Sequence, residues 1–274
     1  MKIALTGGGS GGHFYPLIAV AEEIRAIERE KKLIPPKLFY LAPTPYNKQL
    51  LFQNGIEFKR IPAGKIHRYF DIKNFTGLFV TGWGVLVALW TLFRIYPDVV
   101  FSKGSFASVP ITIAAKILRI PLIIHDSDAK PGRANLLASK WAYRIGVSFP
   151  NTSKYWPEKV HNKIAYTGTP VRRALHTLNG EGAREYLQIK DDLPVILVVT
   201  GSLGSQYVNQ TVVDALTTLL PKAHVIHQTG KNLIDGVKAR TSVILHEKDY
   251  ADRYHVHPYL SADALQQAAS IADV

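Results

Sequence analysis

Gly7-Gly8-Gly9-Ser10-Gly11-Gly12-His13 brings five glycines, a hydroxyl and an imidazole into seven consecutive residues. It follows the apolar run Ile3–Thr6 and precedes Leu17, Val20, Ala21, Ile24 and Ile27, which are spaced for one helix face. Glycines let a backbone turn sharply and approach a ligand closely, and the N–H groups at a helix start attract anions. The chemistry indicated is phosphate binding. Gly7, Gly9 and Gly12 fit the dinucleotide spacing G-x-G-x-x-G, but the second strand ends in Tyr40-Leu41-Ala42-Pro43, without the acid that would hold a ribose. His13-Phe14 stands where a P-loop requires Lys-Ser/Thr. The arrangement recurs at Ser102–Pro110, after Asp98–Phe101, and at Thr200–Gln206, after Val195–Val199. Ligands of open α/β sheets sit beyond the carboxyl ends of the strands. Three such loops therefore predict a cleft between two domains, with phosphate-binding capacity on both walls.

Other reactive groups are sparse. Asp126-Ser127-Asp128 spells the Asp-x-Asp with which some sugar-nucleotide transferases hold a divalent cation. The surrounding glycine loops instead match metal-free phosphate binding, and no metal is expected. His255-Val256-His257 puts two imidazoles on one face of an extended strand without a third ligand of zinc spacing. There is no Gly-x-Ser-x-Gly nucleophile elbow. The absence of cysteine excludes disulfides, thiolate metal sites and a cysteine nucleophile, and agrees with a reducing compartment.

The elements that must position these groups are short apolar runs alternating with helical patterns. Runs at Ile3–Thr6, Leu38–Leu41, Val99–Phe101, Leu122–Ile124, Ile145–Phe149, Val195–Val199 and Val225–His227 lack period-two alternation, as strands covered on both faces do. The class is α/β, two Rossmann-like doubly wound domains. The boundary is expected in the turn-rich stretch 150–175, giving domains 1–163 and 164–274, the second short and apparently incomplete. Asn74–Phe93 holds twenty residues without a charge, long enough for a membrane span. It also carries polar residues and three glycines, and strands continue on both sides of it. The alternatives are a buried core helix, a span, and the favoured one, a helix turning Phe79, Trp83 and Trp90 to a bilayer face. Basic neighbours Lys59, Arg60, Lys65, His67, Arg68 and Lys73 suit an anionic leaflet.

Lys and Arg outnumber Asp and Glu by 33 to 21 in 274 residues, a net charge of +12, which favours a polyanionic partner. Basic–aromatic motifs for nucleic acid are missing, so no nucleic-acid partner is expected. No signal segment is visible at the start of the chain.

Gly7–His13 with Phe14-Tyr15-Pro16 resembles the N-terminal signature of the MurG family of peptidoglycan N-acetylglucosaminyltransferases. The similarity continues in order through Pro97–Val100 with Gly104–Pro110, His125–Asn135, Gly168-Thr169-Pro170-Val171-Arg172, Thr200–Gly204 and His227–Lys231. The resemblance implies a GT-B fold and inverting transfer from UDP-N-acetylglucosamine to an undecaprenyl-linked acceptor, lipid I. It also implies a peripheral location on the cytoplasmic face of the plasma membrane. By the same resemblance Ser10, Gly11 and Gly12 lie at a diphosphate, and Asp128, Arg172, Ser202 and Leu260 match donor contacts. Gly104, Ser105, Asn135 and Gly204 fall within matching loops. His13 would be the general base, the alternatives being a capping or core histidine, or one that only positions the acceptor diphosphate. His125 either positions substrate or is structural; Lys103 either meets acceptor phosphate or is solvated. The sequence departs from the family at Asp126-Ser127-Asp128, where the family has an acid–amide pair. It also ends before the family's glycine-rich C-terminal motif, so a related transferase with another lipid acceptor, or a binding fragment, stay open as alternatives.

Overall fold

The computed structural model describes residues 1–65, 73–175, 180–201 and 203–274, with side chains left aside at 73–75 and 262. The chain divides into two compact units, Met1–Arg173 and Ala174–Val274.

In the first unit the strands are β1 (Lys2–Thr6), β2 (Lys37–Ala42), β3 (Ile56–Arg60), β4 (Val99–Ser102), β5 (Leu122–Asp126), β6 (Arg144–Val147) and β7 (Ile164–Tyr166). They form one sheet in the order β3-β2-β1-β4-β5-β6-β7, every neighbouring pair parallel. This is doubly wound order, reversing between β1 and β4. Helices α1 (Gly11–Glu30) and α2 (Lys48–Gln53) cover one face; α3 (Lys73–Ile95), α4 (Val109–Ile117) and α5 (Arg133–Ser139) cover the other. Ile3, Leu5, Leu38 and Tyr40 pack with Phe14, Leu17 and Ile18 of α1, while Ala4, Phe39 and Leu41 pack with Ala88, Leu92, Ile111 and Ala114. Both faces of β1 and β2 are therefore buried, which is why their sequences read as unbroken apolar runs.

The expected domain boundary after residue 163 lies ten residues too early. β7 is hydrogen-bonded to β6 as the last strand of the first sheet, with Ile164 opposite Ile145. Beyond it Arg173 returns to α1, its backbone N–H donating to Glu22 and its guanidinium to Glu23 at 2.7 Å. These ties keep residues 164–173 in the first unit. β3 and β7 escaped the search for apolar runs because they are edge strands: β3 alternates Ile56 and Phe58 with Glu57 and Lys59, and β7 has three residues.

The uncharged segment is α3, and it packs as a crossover helix between β3 and β4. Thr81, Ala88, Leu92 and Ile95 form its buried stripe, which excludes both a helix buried all round and a span. Its other side is open: Phe79 is 73% exposed, and Trp83 and Trp90 are each 62% exposed.

The second unit holds α6 (Ala183–Tyr186), β8 (Val195–Val199), α7 (Gln206–Leu219), β9 (His224–Gln228), α8 (Ile234–Ile244), β10 (Tyr254–His257) and α9 (Ala262–Ile271). Its parallel sheet runs β10-β9-β8. On the edge of β8 away from β9, Asp273 N–H donates to the Val195 carbonyl and Leu197 N–H to that of Val274.

Candidate active site

In a doubly wound sheet the strand reversal opens a crevice at the carboxyl ends of the two strands beside it. Here those strands are β1 and β4, and a cavity of about 600 Å³ lies there. The β1 loop brings Ser10, Gly12 and His13 to it, the β4 loop Lys103 and Ser105, and the stretch after β5 Asp128 and Asn135. Seven of the expected site residues thus share one cavity.

The two loops are tied together by Ser105, whose Oγ accepts hydrogen bonds from Gly8 N–H at 3.3 Å and Ala107 N–H at 3.2 Å. Gly104 has φ +86° and lies against the Asn135 amide, where a Cβ would come within 2.8 Å of Oδ1. Only glycine fits that contact. At the start of α1 His13 N–H donates to the Ser10 carbonyl at 3.2 Å, while the N–H groups of Gly11 and Gly12 precede the first helical bond and no acidic side chain occupies that turn. The helix end is therefore open to an external anion.

His13 is held in one tautomer. Its Nδ1 donates to the Lys103 carbonyl at 3.1 Å, because a carbonyl can only accept. The neutral ring therefore carries its lone pair on Nε2. Burial lowers its pKa below the ordinary histidine value. The Lys103 charge adds to this, while the carbonyl bond and the charges of Asp128 and Asp126 oppose it. A neutral imidazole with a free Nε2 at neutral pH is a competent proton acceptor. Lys103 is only 2% exposed, so the solvated alternative does not hold, and burial lowers its pKa as well.

Asp126 holds the turn after β5. Its carboxylate accepts from Asp128 N–H at 2.9 Å, Gly132 N–H at 3.1 Å and Asn135 Nδ2 at 2.8 Å. Among the described residues no cluster of three His, Asp or Glu has metal-binding geometry. Asn135 also donates to the His125 carbonyl, and its Oδ1 is buried without a partner among the described residues.

Other expected residues lie elsewhere. His125 donates from Nε2 to the Gly168 carbonyl at 2.9 Å and is 3% exposed, locking β5 to the segment after β7; it does not line the cavity. Gly11 backs onto Tyr15 and Tyr46. Arg172 stacks on the Tyr15 ring, 4.9 Å from its centroid. Ser202 lies outside the described residues. Gly204 and Leu260 belong to the second unit. Gly204 (φ +78°) sits so tightly on the Thr229 carbonyl that a Cβ has no room, which interlocks the loops after β8 and β9. Leu260 is buried, and its N–H donates to Gln228 Oε1 at 2.8 Å. Ser205 caps α7 by accepting from Val208 N–H.

Sequence reasoning did not single out Thr81, Phe106 or Arg133, which also line the cavity. Thr81 left a signal, a polar residue within an apolar helix. Its hydroxyl donates to the Gly77 carbonyl and accepts from Gly64 N–H. On the α3 side of the sheet a second hollow, about 490 Å³, is lined by Lys2, Lys37, Lys59 and Arg94 beside Trp90. Of the basic residues expected near α3, His67 and Arg68 lie outside the described residues.

A doubly wound parallel unit followed by a unit with a short parallel sheet, each with glycine loops at the carboxyl ends of its strands, is the architecture of the GT-B fold. Residues 3–147 match the glycosyltransferase family 28 N-terminal domain and residues 195–272 the glycosyltransferase family 28 C-terminal domain. The chain belongs to glycosyltransferase family 28. It is 34% identical to the UDP-N-acetylglucosamine--N-acetylmuramyl-(pentapeptide) pyrophosphoryl-undecaprenol N-acetylglucosamine transferase of Treponema denticola, over 95% of this chain and 68% of the relative. It is 38% identical to the transferase of the same name from Clostridium perfringens, over 85% of this chain and 63% of the relative. The chain thus spans about two thirds of the length of these relatives. Among solved structures, Acinetobacter baumannii MurG matches with TM-score 0.62 at 24% identity, covering 99% of this chain and 70% of that one. A Neisseria meningitidis UDP-GlcNAc 2-epimerase matches with TM-score 0.69 at 14% identity, covering 99% and 76%. These likenesses at low identity establish the shared fold.

Proposed function

We propose that the chain moves N-acetylglucosamine from UDP-N-acetylglucosamine to the muramyl C4 hydroxyl of undecaprenyl-pyrophosphoryl-MurNAc-pentapeptide, inverting the anomeric centre. The names of its relatives support the substrates. The observation that carries the mechanism is His13, fixed through Nδ1 and offering Nε2 at the strand-reversal cavity.

In the proposed step the acceptor oxygen bonds to the sugar anomeric carbon as the bond from that carbon to the UDP oxygen breaks. The acceptor proton passes to His13 Nε2, and the bonding electrons leave with UDP. The positive end of α1, with Ser10 and Gly12, faces one diphosphate. Arg172, stacked on Tyr15 at the end of the first unit, offers positive charge to the departing one. No metal enters this scheme, which the commitment of Asp126 to three N–H donors supports. The exposed side of α3 and the cationic hollow beside Trp90 support a peripheral position on an anionic leaflet of the cytoplasmic membrane.

The test is UDP release by the chain with a soluble short-prenyl analogue of the acceptor. His13→Ala is expected to lower kcat by about 10²–10⁴-fold with little change in the KM for UDP-N-acetylglucosamine, and chelation by EDTA to leave the rate unchanged. Unaltered turnover in His13→Ala would remove His13 as the base.

A further inference from the structure

Lys103 is the unusual group in the cavity. The residue is 2% exposed and lines the cavity, yet among the described residues its ammonium has no hydrogen-bond acceptor and no ion pair. Asp126 and Asp128 act on it only through space, and the Asp126 carboxylate is already occupied by three N–H donors. An ammonium on the wall of a cavity, largely withdrawn from bulk water and without an ion pair, gains from a counter-charge that enters there. The same residue holds His13 in place through its carbonyl. The charged groups facing the His13 ring are Lys103 after β4, Asp126 and Asp128 at the end of β5, and Arg133 at the start of α5.

We infer that Lys103 couples the base to the substrate. Its ammonium pairs with phosphate oxygens of a diphosphate bound in the cavity, and that pairing raises the proton affinity of His13 once substrate is present. While the cavity is empty, the cation beside His13 disfavours an imidazolium and the ring stays free of solvent protons. A bound diphosphate brings net negative charge, turning repulsion into attraction for the proton that His13 must accept. The inference rests on the transfer reaction proposed above. Both substrates of that reaction carry a diphosphate, so the recognised chemistry is the same for either source.

The experiment is an NMR titration of the His13 ring protons in the full chain, assigned by their loss in His13→Gln. It is run without ligand and with inorganic pyrophosphate, UDP or geranyl diphosphate. In the wild type a saturating diphosphate should raise the His13 midpoint by about one pH unit, a roughly tenfold gain in proton affinity. Lys103→Met should start from a higher midpoint, lose the response and bind the diphosphate at least about tenfold more weakly, whereas Lys103→Arg should retain both. A response to UDP alone assigns the pairing to the donor, and one to geranyl diphosphate alone to the acceptor; either supports the coupling. A wild-type midpoint that no diphosphate moves, or a Lys103→Met protein that responds as the wild type does, overturns it. The titration needs no turnover. Failure of sugar transfer and failure of the coupling are therefore seen separately.

Discussion

At the scale of single residues, the cavity separates groups turned to open space from groups that hold its loops. His13 and Lys103 face open space, whereas Asp126 and Ser105 spend their oxygens on backbone N–H groups of neighbouring loops. Replacing Asp126 by alanine leaves three donors without an acceptor in a region where the carboxylate is 4% exposed. A loss of about 1–3 kcal/mol is expected, read as a melting temperature lowered by several degrees. Turnover should fall with it, since the same turn carries Asp128 and Arg133 along the cavity wall. The glycine loop after β1 was legible from type and spacing alone, and the expectation that His13 points into a cleft came with the family resemblance. The Asp126 role was not: it depends on Asn135, nine residues away, folding back on the carboxylate, and Asp-x-Asp by itself reads equally well as a metal motif.

At the scale of elements, α3 shows how one apolar sequence meets two environments. Its buried residues recur every three or four positions, while Phe79, Trp83, Trp90 and Phe93 point outward. Trp83→Ser combined with Trp90→Ser should weaken binding to phosphatidylglycerol vesicles by at least about tenfold, since each exposed indole contributes ~1.5–3 kcal/mol when buried. Co-sedimentation reads this directly, and unchanged binding would take α3 out of the membrane contact. The central strands were readable because both their faces are covered. β3, β7 and β10 were not, because an edge or a short length replaces the apolar run with alternation, as in Ile56-Glu57-Phe58-Lys59 or Tyr254-His255-Val256-His257.

For the whole molecule, the pH response should be concentrated in the second unit. His227 is fully buried, donating to Asn209 and accepting from Tyr254, and burial lowers its pKa to about 4. His255 is also lowered to about 4, by burial first and then by His224 and His257. Unfolded, both take up protons near the ordinary value of 6.5. Between these limits the unfolded chain binds more protons, so the stabilisation is complete above about 6.5 and is lost as pH falls towards about 4. Thermal melts across this window should show the second unit loosening on acidification, with a weaker trend in His227→Gln. Over a complete round of the proposed transfer, the tether on His13 also fixes the order of events. A ring pinned at Nδ1 cannot swing its newly acquired proton away, so the proton must leave from Nε2 into the space the products occupied. Recovery of the free base is thus queued behind product departure, and slow release of a lipid-linked product would hold the enzyme in its protonated form.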